Sequence, residues 1–333
     1  MARLTPSPSR RTLLLGTLAL PWASGVAQTE TASGTSGYPS RLVRIVVPYS
    51  PGTGSDLLAR LLSERLAPRL GQAVIVESKP GASGMIGTAA VAAAAPDGHT
   101  LMVTPPTHVI NSVMRKTPYD PLRDFEAVAQ IARSGLVLIV PAGQPAAALP
   151  ALVAHLRSQG DNATYSSAGI GSTLHLYTAQ FQQELGLNMR HIPSKGAPGA
   201  VMDVAQGQVS MAIVPLDLAR PHLRSGRVKA LAQTGRSRSP LLPDVPTFAE
   251  GGQPSYEVEL WYAVYAPART PRPIVDRLNR EIVAILSLPE VRKALEPMGM
   301  DPAAGSPEQL AALSRSEHAL WASLVQRTGI KAD

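Results

Sequence analysis

LVRIVVPYSPGTGSDLLARLLSERLAPRLG, residues 42–71, joins an apolar β-branched run to a Pro/Gly/Ser loop and then to a helix of strong apolar period. Val43, Ile45, Val46 and Val47 suit a buried strand, and Leu57, Leu58, Leu61, Leu62 and Leu66 recur at helical spacing. Ser55 or Asp56 is expected to cap that helix. A strand that enters a helix through a glycine-containing loop aims unpaired backbone N–H groups and the positive end of the helix dipole at one spot, which suits a carboxylate or phosphate. Tyr49, Ser50, Gly52, Thr53, Gly54, Ser55 and Asp56 are therefore candidate ligand-binding residues. The alternative for this loop taken alone is an ordinary βα connection.

The same unit recurs. Ala73–Glu77 reads as a strand, Gly81, Ala82, Ser83 and Gly84 as its loop, and Met85–Ala95 as a helix. Leu101–Val103 then runs into a polar loop that carries Thr104 and Thr107. In open α/β sheets ligands sit outside the carboxyl ends of the strands, so these three loops share one address. From Phe125 the pattern shifts: Ala127–Val140 is long enough to leave one lobe and start another, with the crossover near Ala132–Gly135. A second lobe repeats the unit. Tyr165 leads to Ser166, Ser167, Gly169, Gly171, Ser172 and Thr173 ahead of a helix that ends at Gly186. Met189–Pro193 leads to Ser194, and the strand Val209–Val214 ends at Asp217. Tyr256–Tyr265 alternates and crosses back, and three helices follow, the last over Pro307–Thr328 with Asn279 and Arg280 expected on an exposed face of the first. The expected fold class is α/β with two lobes, residues 41–134 plus 256–333 and residues 135–255, each a central sheet flanked by helices.

Residues 1–27 stand apart. Arg10 and Arg11 precede the short apolar run Leu13–Leu20, and Gly25-Val26-Ala27 reads as a small-residue cleavage site of an export signal, by the general secretory or the twin-arginine route. Residues 28–40 are expected to be a flexible lead-in. The chain has 333 residues, 44% hydrophobic and 17% charged, and no apolar run reaches the roughly 18 residues of a membrane-spanning helix. Removing Arg3, Arg10 and Arg11 with the signal lowers the formal charge from +7 to +4, and the remaining basic residues are scattered rather than gathered with aromatics, which argues against nucleic acid. Without cysteine there is no disulfide, thiolate zinc site, cysteine nucleophile or lipoprotein anchor.

Two lobes that each present a helix N-terminus and a hydroxyl-rich loop make a cleft suited to a small dicarboxylate. Catalysis is the weaker reading. Ser172 and His175 are three apart on one helix face, but Ser172 serves as a cap and no G-x-S-x-G elbow occurs. His191 and Lys195 flank a loop and offer charge, the seven histidines show no metal-binding spacing, and Trp261 is expected to pack rather than to wall the cleft. No catalytic residue, metal or cofactor is expected.

The motifs IVVPYSPGTGSD (45–56), LGQAVIVESKPGASGMIG (70–87), PDGHTL (96–101), YSSAGIGSTLHL (165–176), HIPSKG (191–196), LPDVPTFAEGG (242–252) and LWYAVYAPARTP (260–271), in this order, resemble the Bug family. These are periplasmic solute-binding proteins associated with tripartite tricarboxylate transporters. The resemblance implies a type II-like Venus-flytrap fold that closes on a small organic carboxylate, and a periplasmic monomer that delivers it to a membrane permease. A sensor presenting its solute to a receptor kinase is the alternative. It also implies that the loops at Tyr49–Asp56, Gly81–Gly84 and Ser166–Thr173 hold the ligand through amides, hydroxyls and water. The chain departs from the family pattern at Ser194, usually Tyr, at Ser50, often Pro, at Thr53, often Gly, and at Ser210, commonly Asp. The last departure removes a partner for an amino acid's ammonium group.

Overall fold

A computed structural model describes residues 37–330. The export signal and most of the lead-in lie outside the described residues. The chain begins with β1 (Val43–Val47), α1 (Gly54–Leu70), β2 (Val74–Ser78), α2 (Met85–Ala92), β3 (Thr100–Thr104), α3 (Thr107–Met114) and β4 (Phe125–Ser134). It continues with β5 (Leu136–Pro141), α4 (Leu149–Gln159), β6 (Thr164–Ser167), α5 (Thr173–Leu185), β7 (Arg190–Pro193), α6 (Ala197–Ala205), β8 (Met211–Pro215), α7 (Leu216–Arg224) and β9 (Val228–Gln233). Then come β10 (Leu260–Pro267), α8 (Arg272–Leu286), α9 (Pro289–Leu295), β11 (Met300–Pro302) and α10 (Pro307–Thr328).

The strands form two mixed sheets flanked by helices, ordered β11-β4-β10-β3-β1-β2 and β7-β6-β8-β5-β9. Their central members are the continuous apolar runs. Every residue of β8 and β10 is buried, as a strand covered on both faces requires. In the first sheet β1 lies parallel to β2 and β3, whereas β10 is antiparallel to β3 and β4. In the second, β6 is parallel to β7 and β8, and β5 is antiparallel to β8 and β9. The parallel strands send their carboxyl ends, and the loops after β1, β2, β6 and β8, to one side of each sheet.

The chain changes sheets twice. It passes from β4 to β5 through Gly135 alone and returns through residues 234–259. The two passages are bonded together: Leu136 N–H donates to Thr234 Oγ1 at 2.8 Å and Thr234 N–H to the Leu136 carbonyl at 2.8 Å. The proline-rich return segment is ordered by Gln233, whose side-chain amide donates to the Leu242 and Val245 carbonyls while its oxygen accepts the Ser239 N–H. Trp321 of α10 is buried against Tyr177 of α5, with ring centroids 5.2 Å apart, and so ties the C-terminal helix to a helix of the second sheet.

Some elements differ from expectation. The stretch after β3 is not a polar loop throughout, because Pro106 takes the N-cap position of α3 and fits helix entry instead of blocking it. Helix α7 and strand β11 were not anticipated, the former because Pro221 interrupts its sequence pattern. Asn279 is not fully exposed: its side-chain amide donates to the Val128 and Gly305 carbonyls and pins α8 to β4. The end of the lead-in is fixed, since Tyr38 is buried and donates to the Gly98 carbonyl at 2.7 Å, while Arg277 donates to the Tyr38 carbonyl.

Candidate functional site

Helix α1 starts at Gly54, with Thr53 as its extended N-cap residue. Neither Ser55 nor Asp56 occupies the cap position. Thr53 Oγ1 turns back to the Ser50 carbonyl at 3.0 Å, and Asp56 Oδ2 accepts the Gly52 N–H and Arg60 Nε–H, both at 3.0 Å. Burial raises the Asp56 pKa, but the Arg60 and Gly52 bonds outweigh it, and the carboxyl is held below the usual range. Asp56 is thus ionised and committed to shaping the loop, and the first-turn amides are left to face an anion. Ser55 is buried and Ser50 is exposed. Gly54 is demanded by space rather than by φ: a Cβ there would stand 2.5 Å from the hydroxyl oxygen of Tyr262 on β10.

The loop after β2 is strained. Gly81, Ala82, Ser83 and Gly84 all have positive φ (129°, 47°, 54° and 88°), although Ala82 and Ser83 carry side chains. Each such residue costs on the order of 1–2 kcal/mol and persists only where its surroundings impose it. Here Asn111 of α3 clamps the Ser83 carbonyl through a 2.9 Å amide bond. The Tyr49 ring lies under Gly84, where a Cβ would meet the hydroxyl oxygen at 3.0 Å, and that hydroxyl is 3.5 Å from Thr104 Oγ1.

In the second lobe, Ser172 caps α5 by accepting the His175 N–H at 3.2 Å. Gly169 and Gly171, at φ 116° and 76°, turn the loop ahead of it. His175 Nδ1 accepts the Gly171 N–H at 3.2 Å, and its ring stacks on His191 at 4.0 Å, which in turn stacks on Tyr165 at 4.8 Å. Burial, helped by the neighbouring His191 and Arg115 charges, pushes the His175 pKa down to about 3, and burial pushes His191 to about 4. Both rings are neutral at pH 7 and brace the glycine loop. Ser172 and His175 therefore do not form a nucleophile–base pair, because the nitrogen nearest the loop is occupied by the Gly171 amide.

At the glycine loops the two lobes are bonded to one another. Ser83 Oγ and Arg115 Nη2 donate to the same Ile170 carbonyl, at 3.1 and 3.0 Å, and the hydroxyls of Thr107 and Thr173 lie 2.8 Å apart. The loop after β2, the α3 segment and the loop at α5 are therefore brought together across the lobes. Ser166 and Ser167 are wholly buried behind them. Ser166 Oγ lies 2.7 Å from Asp203 Oδ2, and Ser167 Oγ lies 2.7 Å from His191 Nε2. Ser194 faces α6, where a Cβ on Gly199 would fall 2.3 Å from its Oγ. Asp217, in the first turn of α7, has one carboxyl oxygen buried without a partner, and burial pushes its pKa up to about 6.

Asn111, Arg115, Ile170 and Tyr262 were not singled out from the sequence. Thr107 and Asn111 are spaced at i and i+4 on α3 and Arg115 follows as its extended C-cap residue, a signal readable only once that helix is recognised. Trp261 is buried and packs near His108 as expected. A concavity of about 960 Å³ lies elsewhere, around Gly135, Thr234 and Met300, and none of the glycine-loop residues lines it. Among the described residues no group of three or more His, Asp or Glu side chains is placed to hold a metal ion.

Residues 58–330 match the sequence profile of the tripartite tricarboxylate transporter family receptor. The chain is 36% identical over 297 residues to protein BugT of Bordetella pertussis, covering 88% of this chain and 91% of BugT. It superposes on the Rhodopseudomonas palustris protein Rpa4515 with adipate at a TM-score of 0.82 and 33% identity, covering 88% of this chain and 99% of that one. It also superposes on MatC of Rhodopseudomonas palustris with bound malate at a TM-score of 0.78 and 32% identity, covering 86% and 100%.

Proposed function

Since the chain belongs to the tripartite tricarboxylate transporter receptor family, we propose that it is a periplasmic protein that binds a small organic carboxylate between its lobes and delivers it to a membrane permease of that transporter type. The observation that supports this reading is the set of Ser83, Arg115 and Thr107 bonds that set the loop after β2 and helix α3 against the N-terminus of α5, beside the strand that leads to the N-terminus of α1. Such termini favour a carboxylate without needing a countercharge. Adipate on Rpa4515 and malate on MatC support that ligand class. We assign the moving bodies as residues 41–134 plus 256–333 against residues 135–255. The candidate residues that face the interlobe space supply amides and hydroxyls, and buried Ser166 and Ser167 hold the loop behind them. Binding rather than turnover fits a site in which Ser172 serves as a helix cap and His175 as a brace of the glycine loop.

Titration calorimetry with a panel of mono-, di- and tricarboxylates tests the reading. At least one should bind with a 1:1 stoichiometry and raise the melting temperature. A panel in which none binds, or conversion of any bound acid, refutes it. Deleting the permease genes should abolish uptake of the bound acid and leave binding by the purified protein intact.

A further inference from the structure

The second lobe places one carboxyl group at the carboxyl end of β8. Helix α7 follows β8 without a loop, so Asp217 sits at the same strand end as the glycine loop after β6. The neighbouring Leu216 reaches the other lobe, where a Cβ on Gly299 would meet its Cδ2 at 3.0 Å. Met300 follows, and its Cε would stand 2.8 Å from a Cβ on Gly54 at the start of α1. The Asp217 carboxyl lies near enough to Tyr262, whose hydroxyl stands beside Gly54, for its charge to act on that phenol.

Backbone N–H groups of Asp217 and Leu218 donate to that carboxyl, but no cation among the described residues answers it. Its Oδ1 is buried without a donor, and Asp217 forms no ion pair among the described residues. The charged groups on the surrounding elements are engaged elsewhere or are themselves acidic. Lys229 of β9 donates to the Gln144 carbonyl, Arg220 of α7 to the Pro297 carbonyl, and Asp203 of α6 accepts from Ser166. Across the cleft, the facing titratable group is the Tyr262 phenol, which burial, and after it the Asp217 charge, keep protonated. A largely buried carboxylate without a countercharge is costly and is normally paired. The remaining source of a partner is the solute.

We propose that Asp217 pairs with an ammonium group of the bound solute, so that the site selects a carboxylate bearing an ammonium group over a dicarboxylate of equal length. The proposal rests on the carboxylate-binding reading above and narrows it. The solute carboxylate goes to the amides at Gly54 and the glycine loop, and its ammonium group goes to Asp217, replacing the partner absent at Ser210. A second carboxylate in that place would meet a like charge unless Asp217 took up a proton. The preference therefore grows with pH. Above about 6 Asp217 is ionised and attracts the ammonium group; below it the carboxyl is neutral and can donate to a carboxylate.

Calorimetry with matched probes tests this: succinate against 4-aminobutanoate, adipate against 6-aminohexanoate, and aspartate. At pH 7.5 the best-binding pair should favour its ammonium member by about tenfold or more, the scale of one paired charge in a partly buried site. At pH 5 the preference should shrink toward parity, and Asp217→Asn should bring it within about twofold at both pH values. A wild-type protein that binds the dicarboxylates without any ammonium preference overturns the inference and leaves carboxylate binding standing. So does a preference that Asp217→Asn does not change. Failure of every probe, with and without an ammonium group, overturns both.

Discussion

Replacing Arg115 by methionine should open the protein while leaving it folded. The guanidinium donates to the Ile170 carbonyl across the cleft at 3.0 Å, and Ser83 Oγ donates to the same oxygen at 3.1 Å. A charge-assisted bond contributes about 1.5–3 kcal/mol, and a neutral hydroxyl bond about 0.5–1.5 kcal/mol. Methionine keeps much of the apolar stem, and Ile170 retains its bond from Ser83, so no buried carbonyl is orphaned. Arg115 Nε is itself buried without a partner, which costs the closed state something that methionine does not. The net loss therefore falls toward the lower figure, a roughly tenfold shift from closed to open at 1.4 kcal/mol per decade. Because solute is enclosed only by the closed form, apparent affinity should weaken by about the same factor where the free protein is mainly open. Ser83→Ala should weaken it by only two- to tenfold, and the two changes should not add, since they share an acceptor. Small-angle scattering of the free protein reads the opening, and calorimetry reads the affinity. A variant with the wild-type scattering profile and an affinity within twofold of wild type would refute the assignment of these bonds as a closing latch.

Acid should destabilise the protein well above the carboxylate range. His108, His175 and His191 are held neutral by burial, at about 4, 3 and 4 against an unfolded value near 6.5, so the unfolded chain binds more protons as pH falls below 6.5 and the stability present above that pH is lost. Asp217, raised to about 6, works in the opposite sense below that pH, leaving a net slope of about 3 kcal/mol per pH unit; a melting temperature that is flat between pH 7 and 5 would exclude it. Trp321→Ala, which empties the contact between α10 and Tyr177, should cost about 3–5 kcal/mol in urea unfolding. Gly171→Val forces a β-branched residue to φ 76° in the loop that faces the solute, so binding should fall more than tenfold for a stability loss of about 1–2 kcal/mol; proportionate losses would count against the loop as a ligand contact.

The strands were legible because their burial is written in unbroken apolar runs such as Leu136–Val140 and Leu260–Ala266, and both helix-entry loops because strand, glycine and helix period are local features. What could not be read was set by distance or by backbone. Helix α3 was hidden by the pair Pro105-Pro106, which marks a helix start as readily as a break. With it went Asn111 and Arg115. The acceptor that joins the lobes is a main-chain carbonyl, on Ile170, and no side-chain pattern announces it. Ser166 and Ser167 read as donors for a ligand, yet their partners Asp203 and His191 lie 37 and 24 positions away, pairings fixed by the packing of α6 and by the register of β6 on β7. Asp56 reads as a helix cap, whereas it accepts the Gly52 N–H and pairs with Arg60 one turn along, which keeps it ionised.

The position of β10 also sets the order in which a growing chain can finish its parts. All five strands of the second sheet have been made once synthesis passes Gln233, whereas β3 and β4 of the first sheet await the strand that lies between them, Leu260–Pro267. Until then each presents a bare edge, the state in which strands recruit the wrong neighbour. The strands of the second sheet are thus all made while the first sheet is still split down its middle.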